Sequence, residues 1–454
     1  MRGACAGEPF YKEHEGIRYC VLHFPGKEKS EGFQQALQRK LENKDFNFRR
    51  VWFPDEVSFS SFEFGTKADF SNATFSAAAV FSSAYFNAKA DFSNATFNGA
   101  AVFHSATFRA TANFNGATFH GVADFGWSTN FCAGAYFISA TFSSEAEFIY
   151  ATFSGDAYFR FATFSADADF TFVTFSAEAV LFSATFGAKA DFRFATFRAE
   201  AVFNAATFAD HVRFAGEQKN EVFTNTSQLN LQFARIEKPD RASFHTLSLR
   251  PNWFVNIDAR KFGFTNVNWG RLSINEEIGR LEKNHVSSSH PLLAIACRNL
   301  AVNAEENHRY EEASKFRYMA MEARRLESWR GFAPWRLGWW YWLASGYGER
   351  VLKAFVVLLG IWFVAGLLYT RVGFARWEPK LASEIDVAIA RRDEVGAPLK
   401  FSRALTYSAG VMTFQKPEPR PATTAAQTVV LFETILGPVQ AALLALAIRR
   451  KFMR

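Results

Sequence analysis

Between Phe48 and Phe208 a phenylalanine returns after five residues, then six, then five, then six. The eleven-residue unit reads Ala-x-Phe-x-x-Ala-Thr-Phe-x-x-x, as in Ala68 to Phe75, and it recurs almost letter for letter at Ala90–Phe97 and Ala190–Phe197. About fifteen units fill residues 46 to 211, with one inserted residue between Trp127 and Phe131. A short fixed period sustained this long specifies a solenoid. It excludes a helix, because steps of five and six residues do not return to one face of a 3.6-residue spiral. In extended chain, Ala and the Phe two places on share a face. Each Ala-x-Phe therefore reads as a three-residue strand with both side chains inward. Ser, Asn, Gly and Asp fill many of the intervening corners, as turn geometry favours.

Four such faces make one coil of twenty-two residues, so fifteen units give about seven and a half coils. At ~4.8 Å per strand that rod is about 35 Å long. Each buried ring contributes roughly 1.5–3 kcal/mol before entropy. The corner two places after the first Phe of alternate units reads Ser61, Ser83, Ser105, Trp127, Tyr150, Phe172, Phe194. Only a two-unit coil stacks these on one edge. The expectation is a ridge of Trp127, Tyr150, Phe172 and Phe194, serving either as a docking surface or as flat corner packing.

The Phe-x-x-Ala-Thr-Phe-x-x-x-Ala-x-Phe run resembles the pentapeptide-repeat family in its Phe-centred variety, over about 165 residues. The resemblance implies a right-handed quadrilateral β-helix and says little about activity, since the family is functionally mixed.

Residues 1–45 are expected to cap the open start of the rod, with a strand at 17–25 and an amphipathic helix at Ser30–Lys44 carrying Phe33, Ala36, Leu37 and Leu41 on one stripe. Cys5, His14, Cys20 and His23 offer a zinc ligand set, although a straight strand would put Cys20 and His23 on opposite faces. The other reading is buried Cys and incidental His. No cofactor is implied. After His211 the period decays. Residues 249–256 and 262–267 read as two closing strands of a solenoid domain spanning 46–270, with Trp269 as a plug. Residues 273–288 read as a polar connection. Within a 271–330 linker, Pro291 to Trp329 reads as a helical hairpin turning at Asn307-His308-Arg309, similar to one tetratricopeptide-like helix pair.

The net charge is +7, but Val57–His211 carries −6, which leaves +13 for the rest. That excess lies mostly in the C-terminal third, beside apolar runs, and points to a membrane rather than to nucleic acid. Four scattered cysteines fit a reducing cytoplasm, and the first apolar run is too short for a secretory signal. In 331–454, Trp335, Trp339, Trp340, Tyr341 and Trp342, with Arg330 and Arg336, read as an interfacial segment. Ala354–Thr370 and Thr428–Ile448 read as two spans, and Arg449, Arg450, Lys451 and Arg454 place both ends in the cytoplasm.

Between the spans, Phe401–Phe414 is too short to cross a bilayer and too apolar for a loop. Span, half-helix and span, with Leu405-Thr406-Tyr407-Ser408, Met412-Thr413 and Leu431 to Gly437, resemble the two-transmembrane potassium-channel pore module over about 100 residues. That resemblance implies about four copies around an axis. The family's glycine-bearing filter is replaced here by Phe414-Gln415-Lys416-Pro417 after Thr413, and Lys416 puts a positive charge near the filter mouth. Glu433 is the ionisable residue inside a span, either functional or paired with Arg403 or another pore-helix group. Gly437-Pro438 permits a bend.

The leading expectation is a homo-oligomeric bacterial inner-membrane protein whose cytoplasmic β-helix biases a channel-like pore. The alternatives are a non-conducting membrane-anchored scaffold that binds a protein partner, and a DNA-mimicking topoisomerase binder. Enzymatic activity is not expected, since no phosphate loop or nucleophile motif occurs.

Overall fold

The computed structural model describes residues 8–217, 222–224, 226–270, 272–327, 336–375 and 398–452. Cys5, Trp329, Arg330, Trp335 and Arg454 lie outside the described residues. The chain divides into two compact units, Met1–Asn299 and Leu300–Arg454. The division falls within the hairpin region.

The first unit is a β-solenoid. Four parallel sheets of seven to ten strands run along it, so it makes about ten turns and is about 45 Å long at the usual strand spacing. Thr96 pairs with Thr118 and Phe97 with Phe119, a step of twenty-two residues. Across the insertion the step is twenty-three, Thr107 pairing with Asn130. Most strands are only two residues long, as in Ala68–Asp69 and Thr74–Phe75, because the chain begins to turn at the inward Phe itself.

The interior repeats one packing solution. Phe92 stacks on Phe114, one coil away, at 4.9 Å and 2°. It meets Phe103 of a neighbouring face edge-on, at 5.3 Å and 86°. Both geometries suit the ring quadrupole, and Ala at the alternate inward position leaves room for them. On every second corner a β-turn closes, as Ala73 N–H donates to Phe70 O at 3.0 Å. Its third residue, Asn72, has φ of 57°, a left-handed position that Asn and Gly tolerate best.

The insertion is absorbed at such a corner. Trp127 and Ser128 are both left-handed. Thr129 is buried, with Oγ1 2.8 Å from Phe103 O and 2.9 Å from Gly126 O. Phe131 still stacks on Phe108 at 4.9 Å.

Both ends are covered. A hairpin of Phe10–His14 and Ile17–Cys20 precedes helix α1, Ser30–Glu42. The first strand of that hairpin is not expected from the sequence. α1 buries Phe33, Ala36 and Leu37, and Phe33 meets Phe53 of the first coil edge-on at 5.4 Å. At the far end the period decays but stacking continues through Phe214, Phe244 and Phe264 at 5.3 and 5.4 Å. These irregular coils raise the turn count above seven and a half. Residues 249–256 do not form the expected strand. Pro251 lacks an N–H and has φ preset, so Pro251–Phe254 is a 3₁₀ turn. The supposed polar connection contains helix α2, Ile274–Lys283, whose buried Glu277 accepts from Asn252 N–H at 3.1 Å. Trp269 packs edge-on to Phe264 at 5.4 Å, as a plug should.

Helices α3, Ser289–Glu306, and α4, Tyr310–Leu326, form the expected hairpin. α4 buries Ala313, Phe316, Met319, Ala320 and Ala323. The second unit continues through α5, Leu337–Ser345, α6, Val351–Tyr369, α7, Phe401–Met412, and α8, Thr424–Phe452. α6 and α8 are both long and apolar enough to cross a membrane. At 1.5 Å per residue α6 reaches about 28 Å, close to the thickness of a hydrocarbon core. Leu352, Val356, Phe363, Leu431, Phe432, Ile435 and Val439 are exposed on them.

Candidate functional site

Two constellations stand out, one in each unit. On the solenoid, the corner residues Trp127, Tyr150, Phe172 and Phe194 form one column. Trp127 and Tyr150 lie 6.0 Å apart with a 36° tilt. Tyr150 stacks on Phe172 at 4.6 Å and 11°, and Phe172 on Phe194 at 4.7 Å and 21°. All four have left-handed φ, between 49° and 59°, where a bulky residue is strained. Trp127 is 56% exposed, and Tyr150 and Phe172 are exposed as well. The rings stack along the edge and cover one another, but their outer side faces solvent. Strain retained for the sake of an exposed apolar edge points to use of that edge.

Charge is arranged in columns too. Asp124, Glu147, Asp169 and Asp191 pair in register along one sheet. Burial, then Asp124, Glu145 and Asp169, push the Glu147 carboxyl above the usual carboxylate range. At Asp191 burial is outweighed by Arg193 and Lys189, whose hydrogen bonds hold it below that range. Arg193 Nε lies 2.9 Å and Lys189 Nζ 2.6 Å from its carboxylate.

In the second unit, α7 sits against α6 and α8 around Glu433. Tyr369 OH donates to Glu433 Oε2 at 2.5 Å, and Ser408 Oγ donates to Oε1. Ser408 Oγ also lies 3.1 Å from Trp362 O. Tyr369 and Ser408 are fully buried and Glu433 is 3% exposed. The expected pairing with Arg403 is not found; Arg403 is exposed, while Ser408 on α7 takes the part. Ala365, Tyr369, Phe374, Ala404, Tyr407 and Val411 close an apolar cluster beside the carboxylate. Close approach needs glycine here: a Cβ on Gly366 would come within 2.6 Å of Leu405 Cδ2, and one on Gly437 within 2.8 Å of Met412 Cγ.

The residues after α7 do not run on as an extended, carbonyl-lined segment. Phe414 N–H returns to Val411 O at 3.1 Å and Gln415 N–H to Gly410 O at 2.9 Å. Phe414 is left-handed, with φ of 58°, in the manner of a helix C-terminal cap. Thr413, Phe414, Gln415 and Lys416 are all exposed.

Three polar contacts in this unit were missed from sequence. Gln440 Nε2, deep in α8, donates to Ala344 O at 2.7 Å and Ala354 O at 2.8 Å, tying α8 to α5 and α6. Glu349, in the turn before α6, accepts from Ser314 Oγ at 2.6 Å, Arg317 Nε at 3.1 Å and Arg450 Nη1 at 3.2 Å. In that same turn Gly346, Tyr347 and Gly348 are all left-handed. Tyr347 OH donates to Glu322 at 2.9 Å, and burial, then Glu322, push that phenol upward. The interruption of an apolar run by Gln440 was the signal available; nothing local marked Glu349.

At the N-terminus the objection to Cys20 and His23 sharing a face falls away, because the strand ends at Cys20 and the chain turns. Cys20 Sγ lies 3.1 Å from His23 Nδ1. His14 instead packs on Phe24, with ring centroids 6.0 Å apart. Among the described residues no three metal-ligating side chains gather.

The repeat and its coil step now decide the family resemblance. The family model described as Pentapeptide repeats (9 copies) matches residues 81–129. This solenoid carries pentapeptide repeats. No curated protein and no solved structure matches the chain. In pentapeptide-repeat terms the aromatic column occupies corner positions, which the interior packing leaves free to vary.

Proposed function

We propose that the chain is a membrane-anchored pentapeptide-repeat scaffold. Its solenoid docks a protein partner along the Trp127–Phe194 edge, and α6 and α8 hold it in a lipid bilayer. The observation that carries this reading is the pair of long helices whose apolar side chains face outward, in a chain that also carries a rod with a strained, exposed aromatic column. The basic excess in the C-terminal third supports a cytoplasmic solenoid on a bacterial inner membrane. Carbonate extraction of membranes tests the anchor: the full chain should stay in the pellet, and release into the supernatant refutes it.

A second reading is a homo-oligomeric, channel-like pore of about four copies. α7 docked on α6 and α8 through Glu433 supports it. The capped turn at Thr413–Gln415 weighs against conduction, since its N–H groups fold back onto α7 carbonyls and the segment does not extend into a carbonyl-lined path. Flux measured in liposomes containing the purified protein separates the two readings. The topoisomerase reading is weakest, because −6 over 155 residues is a modest acidic field, and the acidic columns are partly neutralised by Lys and Arg.

A further inference from the structure

The N-terminal unit brings together a thiol, an imidazole and a buried ammonium that neither the rod nor its aromatic edge requires. The N–H groups of His23 and Phe24 both return to Cys20 O, at 3.2 and 3.1 Å. That turn brings Cys20 Sγ to 3.1 Å from His23 Nδ1. On the other side of the ring, Nε2 lies 3.0 Å from Arg49 O. A carbonyl only accepts, so Nε2 carries the hydrogen and Nδ1 presents its lone pair to the thiol.

Lys29 supplies the second, independent observation. It is 1% exposed. Its Nζ donates to Leu22 O at 2.8 Å and lies over the rings of Phe33 and Trp52 at 4.7 and 5.3 Å. Among the described residues no carboxylate pairs with it. Burial pushes its ammonium down to about 7, and the opposing influence is Cys20. A buried cation is costly without an anion, and the carbonyl that holds this one, Leu22 O, lies two residues after Cys20. The other charges nearby lie around Phe24: Lys12 Nζ is 5.2 Å from that ring and pairs with Glu28 at 3.0 Å, and His14 packs on it.

We propose that Cys20 is a reactive thiolate, with its proton on His23 and its charge balanced by Lys29, and that a hydroperoxide oxidises it. The sulfur attacks the terminal oxygen of the peroxide. An S–O bond forms as the O–O bond breaks, the sulfur loses two electrons and the peroxide gains them. The leaving alkoxide or hydroxide takes the proton from His23 Nδ1, giving a sulfenic acid and an alcohol or water. The loss of the thiolate removes the counter-ion of Lys29. Leu22 O, which Lys29 holds, also accepts Trp52 N–H of the first coil at 3.1 Å, so oxidation acts where the cap meets the rod.

The test uses the full chain, alkylated briefly with iodoacetamide at pH 6 and pH 8 and mapped by mass spectrometry. Exposed Cys132 is the internal reference, and labelling of free cysteine added to the same mixture falls roughly fifty- to a hundredfold between pH 8 and 6. Labelling of Cys20 should change less than about threefold. Hydrogen peroxide followed by dimedone should then tag Cys20 in preference to Cys132. His23→Ala and Lys29→Met should each steepen the pH profile of Cys20 toward that of Cys132. A Cys20 profile that already parallels Cys132 in the unmodified protein, or no labelling of Cys20 while Cys132 labels, overturns the proposal.

Discussion

Tyr369 at the end of α6 and Glu433 in the middle of α8 share a hydrogen bond of 2.5 Å across sixty-four residues of chain. Together with Ser408 they place three polar groups inside an otherwise apolar cluster, each satisfied by the others. Tyr369→Phe removes one donor and leaves a buried carboxylate oxygen unmet, which should cost about 1–3 kcal/mol. Replacing both, as Tyr369→Phe with Glu433→Leu, should cost less than the single change, because no polar group is then stranded. Thermal unfolding of the detergent-solubilised protein measures both.

The aromatic column should separate stability from binding. Asn is at home at a left-handed corner, as Asn72 and Asn94 show. Phe172→Asn should therefore leave stability within about 1 kcal/mol of the parent, or raise it. Capture of a partner by the solenoid should be lost. A cross-linking comparison of parent and variant, with melting temperatures alongside, checks the pair of outcomes.

The acidic column should be felt through pH. The Glu147 carboxyl is raised from its ordinary value near 4.5, so the fold holds that proton more tightly than the unfolded chain does. Its contribution is fully present below the unfolded value and is lost as pH rises through the folded one. Glu147→Gln should therefore stabilise the protein at pH 7 and make little difference at pH 4. The difference in denaturation midpoint between variant and parent isolates this from Asp69, Asp91 and Asp191, which are shifted the other way.

Glu349 is a buried carboxylate held by two arginines from α4 and α8. Glu349→Ala should destabilise the second unit by about 1–3 kcal/mol, since Ser314, Arg317 and Arg450 lose their shared acceptor while Arg317 keeps Glu305 and Arg450 keeps Tyr347 O. Arg450→Met alone should cost less, because Arg317 and Ser314 still satisfy the carboxylate. Hydrogen exchange of the α4 and α8 amides reports whether both loosen together.

The interior of the rod was legible because one side-chain type recurs at one spacing. Phe97 beneath Phe119 follows from the period with no further information, and the aromatic column follows from the coil length. The last coils were harder to read: Phe244 and Phe264 are separated by twenty residues rather than twenty-two, and Pro251 diverts the backbone between them. The hairpin strand Phe10–His14 is exposed on both faces, so it carries no inward pattern to detect. In the second unit the helices were visible from composition. Their polar contacts were not, since Glu433 with Tyr369 and Glu349 with Arg450 join residues that only tertiary packing brings together.

The extra residue at Trp127–Thr129 has a bearing on how such a rod changes length. Each coil offers the next the same interior outline, so whole coils can be duplicated or deleted with no new packing to solve. A partial coil survives as well, provided the surplus leaves through a corner, as it does at Trp127–Thr129. Ladders on the outside obey a stricter rule. Any change in coil number slides every later edge residue along the axis, so the reach of the aromatic stripe is counted in coils and a partner spanning it would measure the rod like a ruler.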